Sequence, residues 1–181
     1  DNYKAGVNGS AFLTKVNADG TYGGTTNYSS SNAITTGQLK ISKTGNIYIT
    51  GTFTGTVDFD FTGNTDYKTS NGSFDIFITK INSDFTYGWT KNIGGSNQEV
   101  YSIVLDDYEN LYMVGWFDGT LDFDPGLDVV NRTQTSVNYN GFTFSLDKNG
   151  LFRWVKTFKI DDGYTVRGIE LANNKLYVTG D

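Results

Sequence analysis

Apolar and polar side chains alternate along several short segments of the chain. The clearest segment reads Asn46-Ile-Tyr-Ile-Thr-Gly-Thr-Phe53. Alternation with a period of two residues predicts a β-strand. Both alternating sets contain bulky or apolar side chains, so we expect a sheet that is covered on both faces by neighbouring sheets. Gly, Thr, Ser and Asn interrupt every candidate stripe of helical period, and no helix is predicted.

This segment belongs to an internal repeat. Tyrosines at its second apolar position follow one another at intervals of 64 and 65 residues: Tyr48, Tyr112 and Tyr177. Phenylalanines that open a second motif are 65 residues apart at each step: Phe12, Phe77 and Phe142. Agreement between independent landmarks indicates a repeat architecture, in which similar units stack in series.

Each unit is predicted to hold four strands. In the first complete unit these are residues 38–42, 46–53, a segment that begins at Phe77, and 86–93. The turns between the third and fourth strands contain Asp19-Gly20 and Asn149-Gly150 in other units. Asp-Gly and Asn-Gly provide the positive φ angles of tight hairpins, so the strands are expected to be antiparallel.

The sequence therefore predicts an all-β protein, a β-propeller fragment of about three four-stranded antiparallel blades with a 64–65 residue repeat. A β-solenoid would use shorter repeats, and a sandwich would not need a regular one. Residues 1–181 are expected to form a single array, divided into a half blade (8–28), two blades (37–95 and 100–160) and a second half blade (166–181). Propellers usually close from four to eight blades. We expect this chain to be part of a larger propeller, or to close with another copy or a partner chain.

Composition excludes several classes of function. The net charge is −6 and the 14 basic residues are scattered, which argues against nucleic-acid binding. The chain lacks Cys, which excludes disulfides and thiolate metal sites, and has no apolar run near the roughly 18 residues of a membrane span. The start, Asp1-Asn-Tyr-Lys4, has neither a signal-peptide core nor an initiator Met. We expect a mature chain or an excised piece.

Two motifs carry a resemblance to a known family. The string Gly45-Asn-Ile-Tyr-Ile-Thr-Gly51, followed by Gly55-Thr-Val-Asp-Phe-Asp60, resembles the bacterial SBBP-type β-propeller repeat, as does Gly119-Thr-Leu-Asp-Phe-Asp-Pro-Gly126. The resemblance covers nearly the whole chain. It departs from the pattern where Phe61-Thr62 replaces the position of Pro125, and the first copy is truncated. The resemblance implies an exported or cell-surface bacterial protein with a propeller fold, and no single catalytic activity.

Candidate catalytic residues are few because the chain contains no His. Ser-His-Asp and Cys-His catalysis and His-bound zinc are excluded. A glycosidase with paired carboxylates is the remaining enzyme class. Its unique pair should break the repeat, as Glu99 and Asp161-Asp162 do. Solvated surface charge is the preferred interpretation of these residues.

Acidic residues also suggest a calcium site. Asp122, Asp124 and Asp128 offer the hard oxygen ligands that calcium takes, and Asp58-Phe-Asp60 repeats the first two. The spacing lacks the EF-hand pattern. The competing interpretation is a short strand with its aromatic side chains inward and its Asp residues in water.

Two hypotheses of function follow. The preferred one is a non-enzymatic segment of a secreted or cell-surface propeller, which serves binding, adhesion or structural scaffolding with a protein or carbohydrate partner. The alternative is a propeller-fold carbohydrate-active enzyme or its accessory module. The long loops at 62–73 and 126–140 occupy equivalent places in two repeats, which favours the first hypothesis, since a catalytic site should be unique.

Overall fold

The computed structural model describes residues 10–28, 30, 32–95, 97–160 and 166–181. Within these ranges the chain forms β-strands and no helix, as predicted. The strands are β1 (Ala11–Val16), β2 (Tyr22–Tyr28), β3 (Ile34–Ile41), β4 (Ile47–Phe53), β5 (Thr56–Asp58), β6 (Tyr67–Thr69), β7 (Asp75–Ile81), β8 (Tyr87–Ile93), β9 (Gln98–Leu105), β10 (Leu111–Phe117), β11 (Thr120–Asp122), β12 (Asn131–Thr133), β13 (Tyr139–Leu146), β14 (Phe152–Ile160), β15 (Val166–Ala172) and β16 (Lys175–Gly180). No helix in these ranges is long and apolar enough to span a membrane.

Two four-stranded sheets are built in the same way. Their strand orders are β3-β4-β7-β8 and β9-β10-β13-β14, and every neighbouring pair is antiparallel. Tyr48 pairs with Lys80 in the first sheet, and Tyr112 pairs with Ser145 at the same place in the second. The hairpins β1–β2 and β15–β16 form two-stranded sheets on either side in sequence. The 64–65 residue period therefore corresponds to a repeated sheet.

The first strand of each full sheet begins earlier than predicted. β3 begins at Ile34 rather than at 38. β9, its equivalent in the next repeat, begins at Gln98. The register of β3 shifts between Thr36 and Leu39, and that of β9 shifts opposite Gly115. Such irregularities interrupt the period of two from which the strand starts were predicted.

The prediction of four strands per unit omitted a small hairpin in each repeat. β5 pairs with β6, and β11 pairs with β12, in the connection between the second and third strands of each sheet. β6 and β12 lie inside the segments predicted as loops. β6 and β12 carry no apolar alternation. Backbone bonds and a threonine pair hold each hairpin together: Thr56 with Thr69 at 2.9 Å, and Thr120 with Thr133 at 2.9 Å. Val57 and Phe59 point inward, as predicted for this segment.

Apolar side chains are buried between successive sheets rather than within a single one. On β4, Ile49 packs toward the β1–β2 hairpin, whereas Tyr48, the preceding residue, packs toward the β9–β14 sheet. Side chains that alternate along one strand therefore enter two different interfaces between sheets. A third cluster joins β9 and β10 to β15 through residues such as Val104 and Ile169. The expectation of a sheet covered on both faces is thus confirmed. The first strands β3, β9 and β15 lie beside one another in that order.

Candidate functional site

A groove lies at the boundary between the β1–β2 hairpin and the following sheet. Its volume is about 740 Å³, within the range of about 300–1,000 Å³ that ligand pockets usually have. Its walls come from β2, the β5–β6 hairpin and the β7–β8 turn, and the lining includes Tyr22, Thr26, Asp58, Asp60, Phe61 and Phe85. We call this site the groove.

Small residues on β2 open the groove. Gly24 and Thr26 occupy the positions that Trp89 and Lys91 hold on β8, in the next repeat. At that second boundary, a Cβ atom on Gly150 would lie 2.9 Å from Lys91 Cε and 3.2 Å from the Trp89 ring. Trp89 and Lys91 therefore fill the space beside the turn, and Trp89 Nε1 also donates to the Lys148 carbonyl at 3.1 Å.

Phe85 lines the groove from the β7–β8 turn. It has φ 69°, whereas the equivalent turn residues are glycines, Gly20 at φ 84° and Gly150 at φ 76°. A left-handed conformation costs an L-residue about 1–2 kcal/mol, which glycine avoids. The Phe85 ring lies 3.6 Å from the place of a Cβ on Gly24 and packs against the core cluster of this boundary. The packing of the Phe85 ring over Gly24, which has no side chain, compensates for the cost of the positive φ angle at Phe85.

Two carboxylates line the groove and shape the β5–β6 connection. Asp58 Oδ1 accepts backbone N–H bonds from Asp60 at 3.1 Å and Asp66 at 2.9 Å. Asp60 Oδ1 accepts from the backbone N–H of Thr62 at 2.8 Å and from its hydroxyl at 2.5 Å. These are local turn contacts, typical of Asp in loops. One oxygen of each carboxylate is thus committed to the turn.

The calcium candidates hold the equivalent turn in the next repeat. Asp122 Oδ1 accepts backbone N–H bonds from Asp124 at 3.0 Å and Val130 at 2.8 Å, and Asp124 Oδ1 accepts from Gly126 at 2.7 Å. Asp128 is exposed on the same connection. Within the described ranges, no three acidic groups lie together in a way that could hold a metal ion. The calcium assignment stays a prediction.

A second polar cluster joins the two full sheets through Glu109. This residue lies on the β9–β10 turn, and its carboxylate accepts hydrogen bonds from Thr44, from Asn46 at 2.9 Å and from the Tyr48 hydroxyl at 2.9 Å. Lys80 Nζ lies 3.6 Å from Glu109 Oε2. Burial would raise the pKa of Glu109, but these hydrogen bonds outweigh it and lower the pKa to about 2. Glu109 is therefore a charged clamp between repeats.

The same tyrosine has a different carboxylate partner in the next repeat. Tyr112 donates to Asp106 Oδ2 at 2.9 Å, within its own hairpin. Arg153 replaces Lys80 as the cation: its guanidinium lies 5.5 Å from the Tyr112 ring centroid, and Lys80 Nζ lies 5.7 Å from that of Tyr48. Each of the two full sheets thus satisfies its buried tyrosine hydroxyl with a carboxylate and places a cation over the ring.

Glu99 and Asp75 are not among the described residues that line the groove. Trp116 Nε1 donates to Glu99 Oε2 at 3.4 Å on the β9–β10 hairpin. Asp161 and Asp162 lie outside the described residues. Asp75 is fully buried, and burial raises the pKa of its carboxyl. The carboxylate accepts hydrogen bonds from the Asn71 N–H at 3.0 Å and from Asn92 Nδ2 at 2.9 Å, and it therefore caps a loop.

Sequence reasoning missed both Phe85 and Glu109. A signal for both was present, because each stands at a turn position where at least one other repeat carries glycine: Gly20 and Gly150 for Phe85, and Gly45 for Glu109. Glu109 also adopts a positive φ of 63°. A bulky or charged residue in place of a turn glycine indicates that its side chain has a specific contact.

Comparison with models of known protein families finds no match, and no curated protein is detectably similar to the chain. The resemblance to the SBBP-type repeat therefore rests on the motifs in the sequence alone.

Proposed function

We propose that this chain is a β-propeller segment that serves, without catalysis, as a binding, adhesion or scaffolding part of a secreted or cell-surface bacterial protein. The observation that carries the proposal is the repeated sheet, which occurs twice with the same strand order and the same pairing register. Four-stranded antiparallel sheets stacked in series are the units of propellers. The motifs that resemble SBBP-type repeats support a secreted or cell-surface bacterial protein with this fold.

Exposed apolar residues on the flanking hairpins support the proposal that another strand covers these hairpins. Phe12 on β1 is 53% exposed, whereas the equivalent Phe77 in a full sheet is 0% exposed. Tyr177 on β16 is 53% exposed, whereas the equivalent Tyr48 is 0% exposed. Within the described residues, β1 pairs only with β2 and β16 only with β15. Open strand edges of this kind accept further strands.

The two open edges are complementary. β16 corresponds to the second strand of a full sheet and β1 to the third, and these strands pair in both full sheets. Transferring that register matches Leu176 with Val16, and Tyr177 with Lys15. The proposed occupants are further blades of the same protein, another copy of this chain or a partner chain. Two copies would give a six-bladed ring.

Light scattering on the 181-residue chain tests the pairing of these edges. We expect concentration-dependent association, which the double variant Val16→Lys, Val178→Lys abolishes because charges on strand edges oppose pairing. Val129→Lys, which changes an exposed valine on the β11–β12 connection, is the matched control and should associate like the parent chain. A cooperatively melting monomer of the unaltered chain at all concentrations would overturn the assembly part of the proposal.

A carbohydrate-active enzyme is the second candidate, and the groove favours it because carboxylates and aromatic side chains line the same site. Asp58 and Asp60 recur as Asp122 and Asp124, and both pairs hold turns, which supports a structural role instead. A reducing-sugar assay on neutral polysaccharides separates the two functions. Turnover that Asp58→Asn and Asp60→Asn abolish, and Asp122→Asn leaves intact, would replace the non-catalytic proposal.

A further inference from the structure

We propose that the groove binds an uncharged oligosaccharide. This inference deepens the proposed binding role and rests on it. The site is specific to the first boundary, because Gly24 and Thr26 leave room where Trp89 and Lys91 lie against Gly150 at the second. The volume of about 740 Å³ accommodates a few sugar rings.

Aromatic side chains provide apolar surface for sugar rings. Tyr22 is 57% exposed at the edge of the groove, and the half-buried rings of Phe61 and Phe85 also line it. Phe61 is held edge-on by Tyr87, with ring centroids 6.0 Å apart. Phe85 is held by its position in the turn and by its packing over Gly24. Rigid rings offer contact area at low entropic cost, and the C–H faces of a sugar match such surfaces.

The charges and the amide of the groove favour a neutral ligand over an ionic one. Asp58 and Asp60 line it, and no Lys or Arg is among the described residues of the lining, which disfavours anionic sugars and phosphates. The lining also includes Asn64, whose amide supplies donors as well as an acceptor. A cation needs acceptors alone. A sugar hydroxyl both donates and accepts, and it fits this mixture.

Saturation-transfer-difference NMR on the 181-residue chain tests the inference in any state of assembly, because it observes the ligand. The probes are maltotriose, cellotriose, mannotriose and triacetylchitotriose. We expect ring C–H signals of at least one probe to show transfer and to saturate with concentration. Tyr22→Ala, which alters an exposed ring, should weaken this binding about tenfold or more, as for a hot-spot aromatic.

Tyr67→Ala is the matched control, because Tyr67 is a similarly exposed tyrosine, 64%, on β6 and outside the lining. It should bind like the parent chain. Thr26→Lys installs the residue of the second boundary and should abolish binding. Calorimetric titration gives the affinities of all variants.

Three results would overturn the inference: no saturable transfer with any probe, equal binding by the Tyr22→Ala and parent chains, or binding of spermidine alone. The last would assign a cationic ligand to the groove. The light-scattering test of edge pairing does not involve the groove. Loss of sugar binding with intact edge pairing would therefore refute this inference and leave the proposed assembly standing.

Discussion

The hydroxyl of Tyr48 donates a 2.9 Å hydrogen bond to Glu109 Oε2, although the two residues belong to consecutive repeats. Burial, and then this bond to the carboxylate, raises the pKa of Tyr48 above its usual range. The contact fixes the β9–β10 turn of one sheet against β4 of the preceding sheet. Repeat proteins derive much of their stability from such interfaces between neighbours.

Glu109→Gln should destabilise the chain by about 2 kcal/mol at pH 7, because charge-assisted hydrogen bonds to the carboxylate are lost. The folded pKa of about 2 is below the ordinary value of 4.5. The stabilisation is therefore complete above pH 4.5 and is lost as the pH falls toward 2. Urea unfolding of parent and variant should give free energies of unfolding that converge at low pH. Glu170→Gln, at an exposed position on β15, is the control and should have little effect at any pH.

Phe85→Gly should destabilise the chain less than Phe85→Ala, by about 1 kcal/mol, since glycine accepts a positive φ without strain. Both variants lose the packing of the ring over Gly24. Thermal unfolding of the two variants measures the difference. If the alanine variant melts at the higher temperature, the turn has relaxed and the strain assigned to φ 69° is absent.

Asp75→Asn should leave stability within about 0.5 kcal/mol of the parent at pH 7, whereas Asp75→Ala should cost about 1–3 kcal/mol by leaving buried donors unsatisfied. Asn140 already fills the equivalent position, where its Oδ1 accepts the Ser136 N–H at 3.1 Å. Asn92 must turn its amide to present oxygen to the new Nδ2. Equal losses in the two variants, measured by urea unfolding, would show that this amide cannot turn.

The pH dependence of the same variant has a definite sign. Burial raises the pKa of Asp75 in the folded protein, so folding favours its protonated form. The stability that this group contributes is present below its unfolded pKa and is lost as the pH rises through the folded one. Asp75→Asn should therefore gain stability relative to the parent as the pH rises. A constant difference across that range would contradict the raised pKa.

A calcium site at Asp122, Asp124 and Asp128 predicts that calcium raises the melting temperature by mass action. Asp124→Asn should remove that rise and keep the turn, since an Asn side-chain oxygen can accept the Gly126 N–H bond. Asp60→Asn, at the equivalent position of the preceding repeat, should retain the rise. Identical melts of the parent chain in calcium and in chelator would leave these residues their role in the turn alone.

The repeated sheets could be predicted because the relevant physics is local. Alternation in segments such as Ile47–Phe53 and turn signals such as Asn149-Gly150 define strands and hairpins within a few residues. The spacing of Tyr48, Tyr112 and Tyr177 then identifies equivalent strands without knowledge of contacts. The hairpins β5–β6 and β11–β12 were not predicted, because their second strands are three residues long and show no apolar period. Backbone pairing and a buried phenylalanine, Phe59 or Phe123, stabilise these hairpins.

Sequence by itself determined that this chain is all-β, that it repeats, and that side chains on both faces of its strands are buried. Tertiary structure alone decided which partners those side chains have. Gly24 and Phe85 are 61 residues apart in sequence, and their contact, which shapes the groove, depends on how one sheet stacks on the next. The Glu109 clamp likewise exists only when two repeats meet. Size and charge complementarity between distant residues leave no periodic signal in a single chain, because each contact needs only one pair of positions.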